Sequence, residues 1–191
     1  MNMADQTLVE PRPTALKRWE AICNPRSRIV IDDAPVLLLL RSEIEPLLDL
    51  APFGHRAAGR PEAIAANWPT LPGSLLTVIT DLADRFAQLM ECETVRVRLE
   101  GVTGNACRKV HADYTDLRLI CTLAGPGTDY TLGDDPDAAL LRIPTGYAAL
   151  FKGYEFGTGH SACLHRSPPV GDTGERRLVL VIDTPARHPV G

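Results

Sequence analysis

The chain has 191 residues, of which 45% are hydrophobic and 23% charged, and its formal net charge is -4. This composition excludes global disorder, because enough apolar side chains are present to bury a core, and the length suits one domain. A slightly acidic chain without runs of Lys or Arg offers no basic patch to phosphates, so no nucleic-acid binding is evident.

No membrane association and no export are expected. The most apolar run, VLLLL at 36–40, is far shorter than the roughly 20 residues that cross a bilayer. The first residues lack the basic start and apolar stretch of a secretory signal. Five scattered cysteines without a C-x-x-C pair indicate reduced thiols rather than a disulfide framework. We therefore predict a cytoplasmic protein.

The first half of the chain is predicted to be helical and irregular. Residues 42–50 suit a short helix, and apolar side chains recur at helical spacing over 75–91. Between them, 52–72 contains four prolines and reads as an irregular connection with one helical turn after Pro61. We predict a support region over 1–93, in which the apolar face of 75–91 covers the rest of the fold.

From residue 94 the pattern changes to short apolar runs separated by Gly, Pro and Asp. Eight strands are predicted, over 94–100, 108–114, 117–123, 129–132, 139–143, 147–152, 161–165 and 176–183. Eight antiparallel strands that follow a covering helix indicate a jelly roll of the cupin type. The predicted fold is therefore mainly β with N-terminal helices, in a single domain with its core over 94–183 and a tail over 184–191.

A metal site is suggested by the strand predicted at 108–114. Period-two spacing places Cys107, Lys109, His111 and Asp113 on one face of a sheet. With His165 from a facing strand, His111 and Asp113 would form a two-His-one-carboxylate triad, which suits Fe(II) because it leaves coordination positions open. By itself, H-x-D is more typical of a surface strand with solvated side chains than of a metal site.

Other ligands remain open at this point. His160 lies five residues before His165 and could replace it, whereas His55 and His188 are expected to be surface residues. Cys163 falls at period two from His165, and Cys107 precedes the triplet. A thiol close to the metal would favour zinc over iron.

The order of motifs along the chain resembles a known superfamily. HAD at 111–113 is followed by GPGTDY at 125–130, IPTGYAALF at 143–151, a distal His165, and GERRLVL at 174–180. This order is similar to the double-stranded β-helix core of Fe(II)- and 2-oxoglutarate-dependent dioxygenases. The finer pattern C-x-K-x-H-x-D, with LRLICT at 117–122 and HRSPPV at 165–170, resembles more closely the bacterial domain-of-unknown-function family 1826. The resemblance covers roughly 94–183.

The resemblance implies a catalytic site and its cofactors. His111, Asp113 and His165 would bind Fe(II), and 2-oxoglutarate would be the co-substrate. An arginine would pair with the distal carboxylate of 2-oxoglutarate, since a guanidinium binds a carboxylate through two hydrogen bonds. Arg176 fits the G-x-R spacing and is preferred, while Arg177 competes with it because the following apolar strand does not reveal which one points inward.

Four further residues have two interpretations each. Arg118 could be a second carboxylate clamp, or a rim arginine paired with Asp116 or Asp113. Lys109 could bind an anionic substrate, or extend its ammonium group into solvent. Tyr130 and Thr128 could donate hydrogen bonds to the co-substrate, or simply pack in a hairpin.

Two other functions compete with an Fe(II)/2-oxoglutarate-dependent oxygenase that oxidises an unknown small-molecule substrate. A non-catalytic cupin-like protein of metal homeostasis could hold zinc through the same His111, Asp113 and His165. A degenerate jelly roll used for protein interaction would bind no metal. Specificity is predicted to reside in the loops 51–73, 124–137 and 153–160. The sequence leaves the substrate and the oligomeric state undefined.

Overall fold

The structure, a computed structural model, describes residues 15–32 and 41–185. Its helices are α1 (Ala15–Trp19), α2 (Arg41–Asp49), α3 (Pro61–Ile64), α4 (Gly73–Leu89) and α5 (Val170–Thr173), with short 3-10 helices at Glu20–Cys23 and Ala65–Asn67. Its strands are β1 (Ile29–Ile31), β2 (Phe53–Gly59), β3 (Val95–Val102), β4 (Leu117–Ala124), β5 (Asp129–Tyr130), β6 (Leu141–Arg142), β7 (Ala148–Lys152), β8 (His165–Arg166) and β9 (Arg177–Asp183).

The strands form two antiparallel sheets. The major sheet has the order β1-β7-β4-β9-β3-β2, and the minor sheet has the order β6-β5-β8. An isolated bridge between His111 and His165 adds one more pairing beside β8. The predicted class, a mainly β double-stranded β-helix with supporting helices, is confirmed.

Alternation along the central strands separates two faces of the major sheet. On β9, Leu178, Leu180 and Ile182 point into a core shared with the helices, whereas Val179 and Val181 face the minor sheet. β3 and β4 alternate in the same way, because successive side chains of a strand point to opposite faces. One face therefore builds the main core, and the other is free to form a site.

Helix α4 covers the core face of the sheet. Leu75, Ile79, Leu82 and Phe86 follow one another at intervals of three or four residues and are fully buried against the sheet. Each such side chain stabilises the fold by roughly 1.5–3 kcal/mol on burial. The predicted helices over 42–50 and 75–91 and the turn after Pro61 are found as α2, α4 and α3.

Two strands escaped the sequence-based prediction. β1 pairs with β7, and β2, inside the segment predicted to be irregular, pairs with β3 from Phe53–Gly101 to Gly59–Val95. The sequence of β2, FGHRAAG, is rich in Gly and Ala, which have low strand propensity. The hydrogen bonds to β3 therefore stabilise β2 as a strand, although its own sequence has little strand propensity. The division at residue 93 stays a prediction, although both strands precede it and join the sheet.

The prediction of a strand at 108–114 is wrong. Among these residues only His111 makes a bridge. Cys107, which precedes the segment, has a left-handed backbone with φ of 58°. The segment is an extended loop fixed to β8 rather than a regular strand.

No described helix is long and apolar enough to span a membrane.

Candidate metal centre

The bridge between His111 and His165 brings the predicted ligands together. The backbone N–H of His111 donates to the carbonyl of His165 at 3.0 Å, and the N–H of His165 donates back at 2.8 Å. Asp113 follows two residues later on the same side, so that one ligand atom from each side chain lies within 4.8 Å of the others. The structure therefore assembles the triad without the regular strand that suggested it.

Both imidazoles are oriented by backbone carbonyls. The Nδ1 atom of His111 lies 2.8 Å from the carbonyl oxygen of Lys109, and that of His165 lies 3.1 Å from the carbonyl oxygen of Cys163. Because a carbonyl only accepts, each Nδ1 donates a proton to it, which leaves Nε2 as the ring nitrogen that can face a metal ion. This orientation is typical of metal-binding histidines.

The three donor groups converge. Nε2 of His165 is 3.2 Å from Asp113 Oδ2, and Nε2 of His111 is 3.8 Å from Asp113 Oδ1. Asp113 Oδ2 is buried and accepts no hydrogen bond within the described part of the chain. A buried carboxylate oxygen without a donor is costly, and a divalent cation among two nitrogens and one oxygen would satisfy it. The residues therefore fit a metal ion.

Electrostatics keep Asp113 ionised. Burial raises the pKa of its carboxyl group, but His165, Arg118 and His111 around it outweigh burial and lower the pKa to about 2. The site thus contains a carboxylate at neutral pH, as a hard divalent ion requires.

Arg118 is paired rather than free. Its Nη1 lies 2.5 Å from Asp113 Oδ1, while Nε and Nη2 bind the two oxygens of Asp183 at 2.6 and 3.1 Å. Of its two predicted interpretations, the structure places it as an arginine paired with Asp113. The additional partner Asp183 is not one of those predicted.

Arg177 lies in the pocket beside the triad. The residue is 2% exposed, and its donors bind neutral acceptors, namely the Pro126 carbonyl and the hydroxyls of Ser167, Thr122 and Thr128. Burial lowers its pKa to about 10, so it still carries a charge at neutral pH. Within the described residues, Arg177 forms no ion pair. A buried guanidinium that is hydrogen-bonded only to neutral acceptors retains the capacity to bind an anion.

The preference for Arg176 as the inward arginine is wrong. Arg176 is exposed and contacts Asp49 at 3.4 Å on the outside of the sheet. Arg177 has the parity of Val179 and Val181, which face the pocket. Both faces of β9 are buried, so hydrophobic alternation gave no sign of this orientation. Which residue binds 2-oxoglutarate stays a prediction.

The other predicted residues are divided between the pocket and its surroundings. Thr128 lines the pocket, whereas Tyr130 packs against the apolar cluster between the sheets and does not line it. Lys109 is exposed, and only its carbonyl serves the triad. His160 contacts the Nζ atom of Lys152 at 2.7 Å instead of the triad.

Neither thiol joins the cluster of ligands. Cys163 is buried in the apolar cluster, and burial raises its pKa to about 12, which disfavours a thiolate. Cys107 is exposed at the pocket rim. The described cluster that could hold an ion consists of His111, Asp113 and His165 alone. The structure therefore removes the thiol argument for zinc.

The pocket encloses about 170 Å³ between the two sheets. Sequence reasoning missed several of its lining residues, which are Arg98, Glu100 and Val102 on β3, Ser167 after β8, and Val179 and Val181 on β9. The alternation of charged and apolar residues in VRVRLEGV could have indicated that Arg98 and Glu100 share a face. No described residue before β3 lines this pocket.

The fold and the triad define a protein of the double-stranded β-helix class with a candidate facial-triad metal centre. A family model described as "Protein of unknown function (DUF1826)" matches residues 56–183. The chain belongs to this family, as the motif pattern predicted. Among curated proteins, none matches its sequence significantly.

Solved structures share the fold at low sequence identity. The dioxygenase for auxin oxidation 1 from Arabidopsis thaliana, in complex with 2-oxoglutarate, has a TM-score of 0.52 at 11% identity, over 88% of this chain and 86% of that one. A prolyl-4-hydroxylase of Pseudomonas putida has a TM-score of 0.52 at 12% sequence identity. The match covers 93% of this chain and 97% of the hydroxylase. JOX2 in complex with 2OG, Fe and JA has a TM-score of 0.55 at 9% sequence identity. The match covers 88% of this chain and 70% of JOX2. These likenesses establish the fold.

Proposed function

We propose that the chain is a non-haem Fe(II)- and 2-oxoglutarate-dependent dioxygenase that oxidises a small molecule. His111, Asp113 and His165 hold the metal, and Arg177 binds the distal carboxylate of 2-oxoglutarate. The observation that carries the proposal is the buried guanidinium of Arg177, which lies in the same pocket as the triad and forms no ion pair with the described residues. A protein that only stored or sensed a metal ion would not need this buried cation.

The hydrogen bonds of Arg177 leave room for a carboxylate. Nε donates to Pro126, Nη2 donates to Thr122 and Thr128, and Nη1 donates to Ser167, so one N–H of Nη1 is not used. Thr128 and Ser167 accept from the guanidinium, and their own hydroxyl protons remain available for a ligand. One N–H and two O–H donors therefore face a carboxylate that enters the pocket.

The triad supports the metal part of the proposal. Two nitrogens and one carboxylate oxygen on one side of an ion leave its remaining positions open, which suits a catalytic rather than a closed structural site. Fe(II), 2-oxoglutarate and dioxygen would supply an oxidation in which 2-oxoglutarate becomes succinate and carbon dioxide while the substrate gains an oxygen atom. The protein binds the co-substrate, fixes the ligands and shields the pocket between its sheets.

Metal and co-substrate binding test the proposal. The protein, purified without chelators or a histidine tag, is analysed for metal, loaded anaerobically with Fe(II) and titrated with 2-oxoglutarate by calorimetry. We expect one Fe(II) per chain, binding of 2-oxoglutarate only with metal, and succinate formation in air. His111→Ala and His165→Ala should lose the metal, while His160→Gln, outside the triad, should keep it.

Two outcomes would overturn the proposal. Tightly held zinc with no binding of 2-oxoglutarate would favour the cupin-like protein of metal homeostasis. Absence of any metal after anaerobic loading would favour a jelly roll used for protein interaction.

A further inference from the structure

A second cavity adjoins the metal-ligand pocket on its solvent side. This basic groove, of about 430 Å³, is lined by Asn105, Cys107, Arg108, Lys109 and His111. Cys107 and His111 also line the triad pocket, so the two cavities share a wall. The basic groove therefore borders the triad, and Arg108 and Lys109 on it have no role in the proposed chemistry.

The charge of the basic groove is opposite to that of the chain. Arg108 and Lys109 are both exposed, and within the described residues neither forms an ion pair. The lining contains no carboxylate, although the whole chain has 24 acidic residues against 20 basic ones. Two neighbouring cations without counter-ions create a local positive potential that attracts an anion.

Solvent reaches the triad on the side of the basic groove. The side chain of His111 is 38% exposed, compared with 14% for Asp113 and 6% for His165. His111 is the most exposed residue of the triad and lines both cavities, so the basic groove opens beside the accessible side of the triad.

The loop that carries the two cations is held in place at several points. Asn105 donates to Asp172 at 2.6 Å and accepts from the N–H of Gly171 at 2.8 Å. The carbonyl of Cys107 accepts from the N–H of Ser167 at 3.0 Å, and the bridge at His111 fixes the other end. A loop fixed in this way presents its charges with little loss of entropy on binding.

We propose that the basic groove binds a carboxylate or phosphate group of the substrate, so that the substrate of this site is a small organic anion. The inference rests on the proposed function, because it assigns the groove to the substrate of the oxidation. Arg177 serves the co-substrate inside the pocket, and Arg108 with Lys109 serves the substrate outside it. Two cations suit one anionic group rather than a nucleic-acid backbone, which needs an extended basic surface.

Anion titration followed by NMR tests this assignment. The metal content of the ¹⁵N-labelled full chain is measured after loading with Zn(II), and inorganic phosphate or propionate is then added. We expect saturable shifts of the amide signals of 105–111. The double variant Arg108→Gln/Lys109→Gln should bind about tenfold more weakly, since two charged contacts are lost. The control Arg26→Gln/Arg60→Gln removes the same charge from exposed sites elsewhere and should bind as the parent does.

The arms of the titration separate the outcomes. A response to phosphate alone indicates a phosphorylated substrate, and a response to propionate indicates a carboxylic acid; both support the groove. Absence of saturable shifts in a chain that holds metal overturns the anion site and leaves the proposed function intact. Saturable shifts in a chain that fails to hold metal support the anion site and refute the proposed function.

A paramagnetic ion tests the position of the bound anion. With Mn(II) in place of Zn(II), the ³¹P signal of phosphate in the basic groove should broaden, and the broadening should disappear in Arg108→Gln/Lys109→Gln. Phosphate that binds without broadening would lie far from the triad, which would overturn its assignment to the substrate.

Discussion

Arg118 holds one oxygen of the Asp113 carboxylate, and the other oxygen lies against the imidazole of His165. Its Nη1 is 2.5 Å from Asp113 Oδ1, whereas Oδ2 lies 3.2 Å from Nε2 of His165. Asp183 fixes the rest of the guanidinium through two hydrogen bonds. The ion pairs from Asp183 through Arg118 to Asp113 therefore orient the carboxylate, and Oδ2 would be the oxygen available to a metal ion.

Replacing Arg118 tests this positioning role. Arg118→Met should weaken metal binding by roughly 10–100-fold, the usual effect of losing a group that orients a ligand. It should also destabilise the fold by about 3 kcal/mol, because buried Asp183 loses its main partner. Calorimetric Mn(II) titration and thermal unfolding measure the two effects.

Arg98→Met is the matched control for Arg118→Met. Arg98 contacts Asp183 at 3.6 Å but does not contact Asp113. The Arg98→Met substitution should lower the thermal stability of the protein and leave its affinity for Mn(II) unchanged. Equal Mn(II) affinity in the Arg118 variant and the parent would contradict the positioning role.

Arg176, which directly precedes β9, and Arg177, the first residue of β9, provide a second matched pair. Arg177→Met should weaken 2-oxoglutarate binding to the Fe(II)-loaded protein by roughly 100-fold, since charge-assisted hydrogen bonds contribute about 1.5–3 kcal/mol. Arg176→Met, on the outside of the sheet, should bind it as the parent does. Both variants should retain the metal. The assignment fails if the two substitutions weaken binding equally.

Gly153 supports the triad from behind. A Cβ atom at this position would collide with the carbonyl oxygen of Thr115 and lie 2.8 Å from that of Asp113. Gly153→Ala should therefore displace the ligand segment, cost about 1–3 kcal/mol of stability and weaken Mn(II) binding. Gly54→Ala, where a Cβ meets nothing within 4 Å, is the control. Unfolding curves with and without Mn(II) compare them, and parallel behaviour of both variants would refute the role of Gly153.

The cysteines should differ widely in their rates of alkylation. Burial raises the pKa of Cys121 and Cys163 to about 12, so at pH 8 only roughly one in ten thousand of these thiols is ionised. Cys23 and Cys107 are exposed. Iodoacetamide at pH 8, with peptide mass spectrometry over time, should label the exposed pair first. Labelling of Cys163 as fast as that of Cys107 would contradict its burial.

The sequence predicted which candidate ligands lie together better than it predicted the local structure that presents them. His111, Asp113 and His165 followed from spacing and motif order, and they lie together although 108–114 forms no regular strand. The bridge between His111 and His165 is a tertiary contact, which spacing within one segment does not encode. The spacing correctly predicted that His111 and Asp113 lie on the same side of their segment.

Orientation inside a doubly buried strand was beyond the sequence. Every residue of β9 is buried, so the apolar pattern offers no inward and outward side. Arg176 and Arg177 were distinguishable only after β4 and β3 had fixed the register of β9. Likewise, β2 depends on its pairing with β3 rather than on its own composition.

The alternation of β9 also has an evolutionary consequence. Leu178, Leu180 and Ile182 hold the sheet to the helices, while Arg177, Val179 and Val181 border the pocket. Selection for folding and selection for ligand preference thus act on interleaved positions of one heptapeptide. Relatives can diversify the pocket at every second residue of this strand while inheriting the scaffold unchanged, and an insertion of one residue would disrupt both at once.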